Sequence, residues 1–347
     1  MIPDPRSCTK DLKAPAYPAA AAGFLRMDAN TNLYGQNPAV ERALKDGATA
    51  DLNHYPSGVS EPLRAAIAKF HDVSPEEVIV GDGSDEVLDT LTKAYLDPDD
   101  VVAIPVPTFV MYAFYGRINF GRVAEVPLRV GWELNVDALL RTDAKLTFIA
   151  SPNNPTGNKF DREDVERVIQ RSNGIVVVDE AYADFCGQDF VRRTREFQNL
   201  VVSRTFSKSH GLAGLRVGYA IGNRQIVERM MAVKTPFTVG SFPERVALAA
   251  LEEPYYVDES RKMILAERPF LVDELKKLGL RPYPSDANFL LVDMGKTAKF
   301  LVQKLRERRI LVRDMGDFRG LDKCFRMTIG RREHNEQLLS ALRECLA

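Results

Sequence analysis

The chain is short of the residues that usually announce a metal or disulfide protein. Its four cysteines, Cys8, Cys186, Cys324 and Cys345, lie far apart and form no CxxC pair, so neither a disulfide framework nor a zinc site can be read from them. The four histidines, His54, His71, His210 and His334, show no ligand spacing, and no metal is expected. Free thiols in a reducing compartment are the simplest account. Long hydrophobic runs are missing too, since none approaches the roughly 18 residues that cross a bilayer. The region around Ala19-Ala20-Ala21-Ala22 is interrupted by proline and charge and lacks the basic start of a signal peptide. These absences point to a cytoplasmic protein without a membrane partner. Charge of one sign is also lacking: 47 Lys and Arg against 48 Asp and Glu leave a net charge of -1. The few basic clusters, such as Arg306-Glu307-Arg308-Arg309, suit a solvated helix face, so no nucleic-acid partner is expected. No GxGxxG and no P-loop follows any apolar run, which argues against a dinucleotide or nucleoside triphosphate site.

What is present is an ordinary globular composition, 45% hydrophobic and 27% charged over 347 residues, long enough for one large domain and a smaller one. Short apolar runs at 78–80, 101–104, 123–126, 146–150, 175–178, 200–202 and 215–221 alternate with helical spacings, among them 61–70, 161–172, 223–233 and 242–252. This alternation predicts an α/β fold with a mostly parallel, seven-stranded sheet covered on both faces. From Leu280 the pattern changes. Strands are expected at 288–292, 310–312 and 324–329, helices at 297–308 and 333–345, after a long helix over about 256–278. The reading is an N-terminal segment over 1–37, irregular to about residue 23 and packed with the small domain or over the site. A large domain over 38–255 and a small α+β domain over 256–347 follow.

The chemistry concentrates in Ser203 to Tyr219. There Lys208 is framed by Thr205, Ser207 and Ser209, Arg216 follows eight positions later, and three glycines let the backbone crowd in. Lysine, unlike arginine, can give up its proton and add to a carbonyl as a Schiff base. Hydroxyls and an arginine beside it suit a phosphate. Together they suggest a phosphorylated aldehyde, pyridoxal 5'-phosphate; a polar turn before a buried strand is the alternative. Further pieces fall at strand ends, where ligands of such sheets bind. Asp179 follows four apolar residues and can stabilise a protonated ring nitrogen. Tyr182 and Asn154 can donate to the ring's phenolic oxygen. Gly83-Ser84-Asp85 opens a helix whose free amides suit a phosphate, although Ser84 or Asp85 could instead merely cap it. Phe109 can lie over the ring face, or simply fill the core.

With these residues in place, the chain resembles fold-type I pyridoxal-phosphate enzymes of the aspartate aminotransferase superfamily, and most of all the histidinol-phosphate aminotransferase branch. The likeness is carried by Asn30-Thr31-Asn32-Leu33-Tyr34-Gly35, Tyr55-Pro56, Gly83 to Glu86, Pro107-Thr108-Phe109, Ser151 to Gly157, Asp179 to Tyr182, Thr205 to Arg216, Arg313, and Arg326 to Gly330. The resemblance implies ping-pong transamination in histidine biosynthesis. An amino donor displaces Lys208 from its Schiff base, and a 2-oxo acid, 2-oxoglutarate, takes the amine. It implies a homodimer in which Tyr55 reaches the neighbouring subunit's cofactor phosphate. It further implies that Arg326 binds the anion beside the reacting amine, that Arg313 helps hold a phosphate, and that Asn32 and Tyr34 line the substrate. An aromatic or other amino-acid aminotransferase and a threonine-phosphate decarboxylase-like lyase are the alternatives on the same scaffold. Thr31, Leu33, His210 and Arg331 depart from the family pattern, as does Phe109, where Tyr is common; these departures leave the cofactor expectation intact and bear on the substrate.

Overall fold

The computed structural model describes Asp4, residues 6–10, Leu12, residues 23–47 and residues 52–346. Most of the segment expected to be irregular, with its alanine run, lies outside these residues. In chain order the elements are β1 (Leu25–Arg26), α1 (Pro38–Lys45), α2 (Glu61–His71), β2 (Val78–Asp82), α3 (Gly83–Tyr95), β3 (Val101–Val106), α4 (Val110–Ile118), β4 (Arg122–Pro127), α5 (Val136–Leu140), β5 (Leu146–Ala150), α6 (Arg162–Arg171), β6 (Ile175–Asp179), β7 (Leu200–Thr205) and β8 (Val217–Gly222). They continue with α7 (Arg224–Val233), α8 (Ser241–Glu252), α9 (Tyr255–Lys277), β9 (Arg281–Pro282), β10 (Phe289–Asp293), α10 (Lys299–Glu307), β11 (Ile310–Leu311), β12 (Arg313–Asp314), β13 (Cys324–Thr328) and α11 (Arg332–Leu346).

Seven strands form the central sheet in the order β2-β8-β7-β6-β5-β3-β4. β6 is buried along its whole length and reads as a continuous apolar run, as a strand covered on both faces must. Successive side chains feed opposite faces. Val176 and Val178 enter the core under α1, α2, α6 and α8, while Val177 enters the core under α3, α4 and α7. The edge strand β4 is different: only Val126 is buried, and the exposed Arg122 and Glu125 blunt the open edge.

One strand departs from the parallel pattern. β8 runs antiparallel to both β7 and β2. It also begins later than the sequence predicts, because Ala213–Leu215 is a 3-10 turn that ends at Arg216 with φ 52°. Arg216 therefore stands at the amino end of β8, beside the carboxyl ends of β2, β3, β5, β6 and β7. The end of the sheet where these six strands meet is the edge that carries the site.

A second core packs α9, α10 and α11 against a four-stranded antiparallel sheet, β12-β13-β10-β9. The expected strand over 310–312 is split in two. Ile310–Leu311 pairs with β1 of the N-terminal segment, and Arg313–Asp314 turns to pair with β13.

His71, the last residue of α2, shares a 2.8 Å hydrogen bond with the Tyr219 hydroxyl on β8. Burial, reinforced by the Arg204 charge, lowers its pKa from the usual 6.5 to about 4. The unfolded chain takes up this proton below about 6.5 and the folded chain only near 4. Stability is therefore lost as pH falls between those values, by on the order of 3 kcal/mol. His210, also held low by burial, acts in the same direction. Urea unfolding should show a midpoint that drops from pH 6.5 to 4.5, with a shallower drop in His71→Gln; an unchanged slope in that variant would remove His71 from the account.

Candidate active site

The site is built where the strands end. Asp179 closes β6 and is buried at 5% exposure. The Tyr112 hydroxyl donates to its Oδ2 at 2.6 Å, and the Ala181 amide donates to Oδ1 at 3.1 Å. Burial pushes the Asp179 carboxyl above the ordinary range, and these two hydrogen bonds pull it back. Among the described residues no lysine, arginine or histidine pairs with it. A buried carboxylate held by neutral donors alone suits a cationic ligand group, and a protonated pyridine nitrogen is one.

Lys208 lies in the turn after β7. Its Nζ donates to the Ala29 carbonyl at 3.2 Å and stands 5.7 Å from the centre of the Tyr182 ring. The Tyr182 hydroxyl accepts from Asn30 Nδ2 at 3.0 Å, which leaves its own proton free to donate. Asn154 Oδ1 accepts from Arg326 at 2.5 Å, and this too leaves an amide N–H to donate. Thr205 Oγ1 accepts from the Ser207 amide at 3.1 Å, which shapes the turn before the lysine. Phe109 stands at the mouth of α4, with its ring edge-on to Tyr112 at 5.5 Å.

A cradle for a phosphate lies at the start of α3. Neither Ser84 nor Asp85 caps the helix; Asp82 holds the cap position without a side-chain cap bond. The Gly83 amide is taken by the Arg216 carbonyl at 2.9 Å, which leaves the Ser84 and Asp85 amides and the Ser84 hydroxyl for an anion. Gly83 has φ +73°, and a Cβ built on it would come within 2.5 Å of Arg216 Nη2. Arg216 is held over this spot by Asp85 at 3.0 Å, so Asp85 serves by aiming the arginine. The Ser84 hydroxyl, the neighbouring amides and the Arg216 guanidinium aimed by Asp85 fit a phosphate, and the lysine and the aspartate fit the rest of a pyridoxal ring.

Two arginines face the opening from the smaller sheet. Arg313 and Arg326 are direct partners in the β12–β13 register, and neither has a carboxylate within 4 Å among the described residues. The Arg326 Nη2 donates to the Asp28 carbonyl at 2.8 Å, while its buried Nε has no partner. The N-terminal strap closes this side. Asn32 Nδ2 donates to the Ser209 carbonyl at 2.9 Å, and the Tyr34 carbonyl accepts from Arg331 Nε at 2.6 Å.

Most residues chosen from the sequence are therefore brought together. Tyr55 is not brought to this chain's own site: it is 85% exposed and stacks on Phe237 at 5.0 Å. His210 does what an aromatic residue would, packing its ring 4.7 Å from Phe206. Sequence reasoning missed Tyr112 and Asn30 as partners of the predicted groups. Tyr112 sits three residues after Phe109, one helical turn on, and that spacing was the only signal available. Among the described residues no group of three or more His, Cys, Asp or Glu could hold a metal ion, and no helix is long and apolar enough to cross a membrane.

A lysine at a strand end, a buried carboxylate, a phosphate cradle and a mostly parallel sheet with one reversed strand define a pyridoxal-phosphate-dependent enzyme. The chain belongs to the class I and II aminotransferase family, which matches residues 22–342. It is 40% identical to a histidinol-phosphate aminotransferase of Thermoanaerobacter sp. (strain X514), over 92% of this chain and 93% of the relative. It is 35% identical to one of Methanocaldococcus jannaschii over 98% and 94%. The crystal structure of histidinol-phosphate aminotransferase from Sinorhizobium meliloti in complex with pyridoxal-5'-phosphate superposes with a TM-score of 0.88 at 26% identity, covering 93% of this chain and 90% of that one. L-threonine-O-3-phosphate decarboxylase from Porphyromonas gingivalis superposes with a TM-score of 0.82 at 24% identity, covering 93% and 99%, a likeness of fold alone.

Gly83→Ala tests the cradle. The left-handed backbone disfavours a side chain by about 1–2 kcal/mol, and the new methyl must push the Arg216 guanidinium off the phosphate position. Cofactor affinity, read by titrating the apoenzyme and following absorbance, should weaken by about tenfold or more. Wild-type affinity in this variant would mean that Gly83 and Arg216 do not form the phosphate site.

Proposed function

We propose that the enzyme transfers the amino group of histidinol phosphate to 2-oxoglutarate. The observation that carries the substrate is the Arg313–Arg326 pair: two adjacent guanidiniums without carboxylate partners among the described residues suit a phosphate and a carboxylate in turn. The names of the relatives support the same reading. They give no support to the aromatic aminotransferase or to the decarboxylase-like lyase.

Bound pyridoxal phosphate supplies an aldehyde that takes up an amine and a protonated ring that accepts electrons. The protein supplies the rest. Asp179 holds the charge on the ring nitrogen, Tyr182 and Asn154 donate to the phenolic oxygen, and Phe109 covers one ring face. Gly83, Ser84, Thr205, Ser207 and Arg216 hold the phosphate, with Asp85 aiming Arg216. Lys208 Nζ binds the aldehyde at rest and, once released, moves the proton at the amine-bearing carbon of the substrate. Arg326 fixes the anionic group beside that carbon, a carboxylate in one half-reaction and the phosphate of histidinol phosphate in the other, and Arg313 helps hold that phosphate. Asn32 and Tyr34 close the strap over the substrate and exclude water.

The same reading makes the working unit a cytoplasmic homodimer. Tyr55 of one protomer extends to its partner's phosphate cradle, which accounts for an exposed aromatic ring stacked on Phe237.

Two half-reactions separate the roles of the arginines. With Arg313→Ala, the rate constant over KM for histidinol phosphate should fall by about 10–100-fold, the worth of one charged hydrogen-bond partner or more, while the glutamate half-reaction changes several-fold less. Arg326→Ala should depress both. Equal losses in Arg313→Ala would sink the phosphate assignment. Lys208→Ala should lose on the order of a thousandfold or more in turnover and bind the cofactor without the absorbance of a lysine adduct; wild-type turnover would overturn the mechanism.

A further inference from the structure

Tyr112 touches both cofactor-facing groups of the large sheet and is assigned to neither. It is fully buried on α4. Its ring stacks on Phe148 at 5.0 Å with an interplanar angle of 5°, and Phe109 meets it edge-on at 5.5 Å. Its hydroxyl donates to Asp179 Oδ2 at 2.6 Å. We propose that Tyr112 is the positioning residue for the ring site, aiming the Asp179 carboxylate through its hydroxyl and seating Phe109 through its ring.

The geometry explains how. Asp179 leaves β6 on the cofactor face with the Ala181 amide and this hydroxyl as its two close donors among the described residues, and with the Ser203 hydroxyl beside it on β7 as a weaker third. The amide fixes Oδ1, and Tyr112 fixes Oδ2, so the carboxylate plane cannot rotate. Stacking on Phe148, itself in the middle of β5, stops the phenol from following the carboxylate if the latter moves. The ring that seats Phe109 is therefore the ring that orients Asp179, and one rigid wedge sets the separation between the ring-nitrogen partner and the ring-face partner.

The hydroxyl also governs charge. A donor to a carboxylate favours its ionised form, and burial raises the phenol well above the ordinary tyrosine range, so it stays a donor. The other titratable groups facing Asp179 are Tyr182, Tyr115 and Asp85. Tyr115 is itself tied to Asp85 Oδ1 at 3.1 Å, and the Asp85 charge adds to the upward push on Asp179. Tyr112 thus provides the largest hydrogen bond that opposes burial and that repulsion, ahead of Ala181 and Ser203. Without it, a proton shifts from the ring nitrogen towards the carboxylate, and the ring loses its positive charge.

The inference rests on the pyridoxal-phosphate reading, and the experiment tells the two apart. Tyr112→Phe keeps the stacked ring and removes only the hydroxyl. Tyr219→Phe, which removes another buried hydroxyl, on the opposite face of the sheet from Asp179 and hydrogen-bonded to His71, is the control. Each variant is reconstituted with cofactor labelled with 15N at the ring nitrogen, and its resonance is followed from pH 6 to 9 alongside kcat and KM. In Tyr112→Phe the resonance should move towards the neutral pyridine position, and kcat should fall on the order of tenfold, the loss of one hydrogen bond to a charged group. KM should stay within about twofold, and Tyr219→Phe should match wild type in both readouts. If Tyr112→Phe only lowers the melting temperature or kcat and leaves the resonance unmoved, Tyr112 is structural and the inference is overturned. If wild-type protein takes up no labelled cofactor, the cofactor reading itself fails.

Discussion

A buried guanidinium behind the sheet holds the catalytic segments in register. Arg204 lies on β7 next to Thr205 and donates to Glu180 Oε2 through Nε at 2.8 Å and Nη2 at 2.6 Å. It reaches Asp184 at 3.4 Å and Asp189 at 3.2 Å as well. Asp179 faces Ser203 in the β6–β7 register, so Glu180 and Arg204 are the next pair along and share the opposite face. Burial pushes Glu180 up to about 7 against the pull of Arg204. A bidentate arginine 2.6 Å away argues for the ionised pair, because an unpaired charge left there would be far more costly. Asp184 accepts in turn from the Ser209 hydroxyl. The residue after Asp179, the residue before Thr205 and the residue after Lys208 are therefore fixed by one network. Asp179 and Lys208 inherit their relative placement from contacts made on the side of the sheet they do not face.

The front of the site depends on the one reversed strand. A parallel β8 would carry its first residue to the far edge of the sheet. Running antiparallel, it delivers Arg216 to the start of α3, where Gly83 has given up its side chain to make room. Close packing enforces this: a Cβ on Gly218 would fall 2.1 Å from the Ser84 nitrogen, so β8 and the helix start must meet with bare backbone. The phosphate cradle is thus a packing solution first, and its charge follows from which residues end up at the seam.

Much of this was legible in the sequence because it is written in local pattern. Apolar runs gave the strands, and Lys208, Asp179 and Arg216 stood out as charges at the ends of such runs. Strand direction was not legible, since the pattern of β8 is the same read either way, and only the long-range pairing sets it. Tyr112 was hidden for a related reason. An aromatic residue one turn into an apolar helix reads as core, and it is core on every side except the oxygen that meets Asp179. Arg204 sits within a strand and carries no sign of its three acidic partners, which come from positions 15 to 24 residues earlier. Arg331 could be seen only as a departure from a family pattern; its use, pinning the Tyr34 carbonyl, needs the strap in three dimensions.

The strap touches two of the site's cationic side chains through its backbone. Its carbonyls at Asp28, Ala29 and Asn30 accept from Arg326, Lys208 and Asn288, two of which are groups that must also serve ligands. Neutral carbonyls are weaker acceptors than carboxylates or phosphates, so an incoming anion can displace them without unfolding the strap. Its other end is held independently, by Arg331 on Tyr34 and by the Tyr256 hydroxyl on Gly35 at 2.6 Å. Next to those carbonyls the strap is held by its backbone as well, the Asn30 amide donating to Thr328 Oγ1 at 3.1 Å and the Thr328 amide to the Met27 carbonyl at 2.8 Å, so an anion exchanges single hydrogen bonds while the strap stays in place. Leu33 packs against the second core and Arg331 holds the Tyr34 carbonyl, so these two departures from the family pattern act on how the strap is seated. The cofactor residues are set instead by strand ends and by the network behind them.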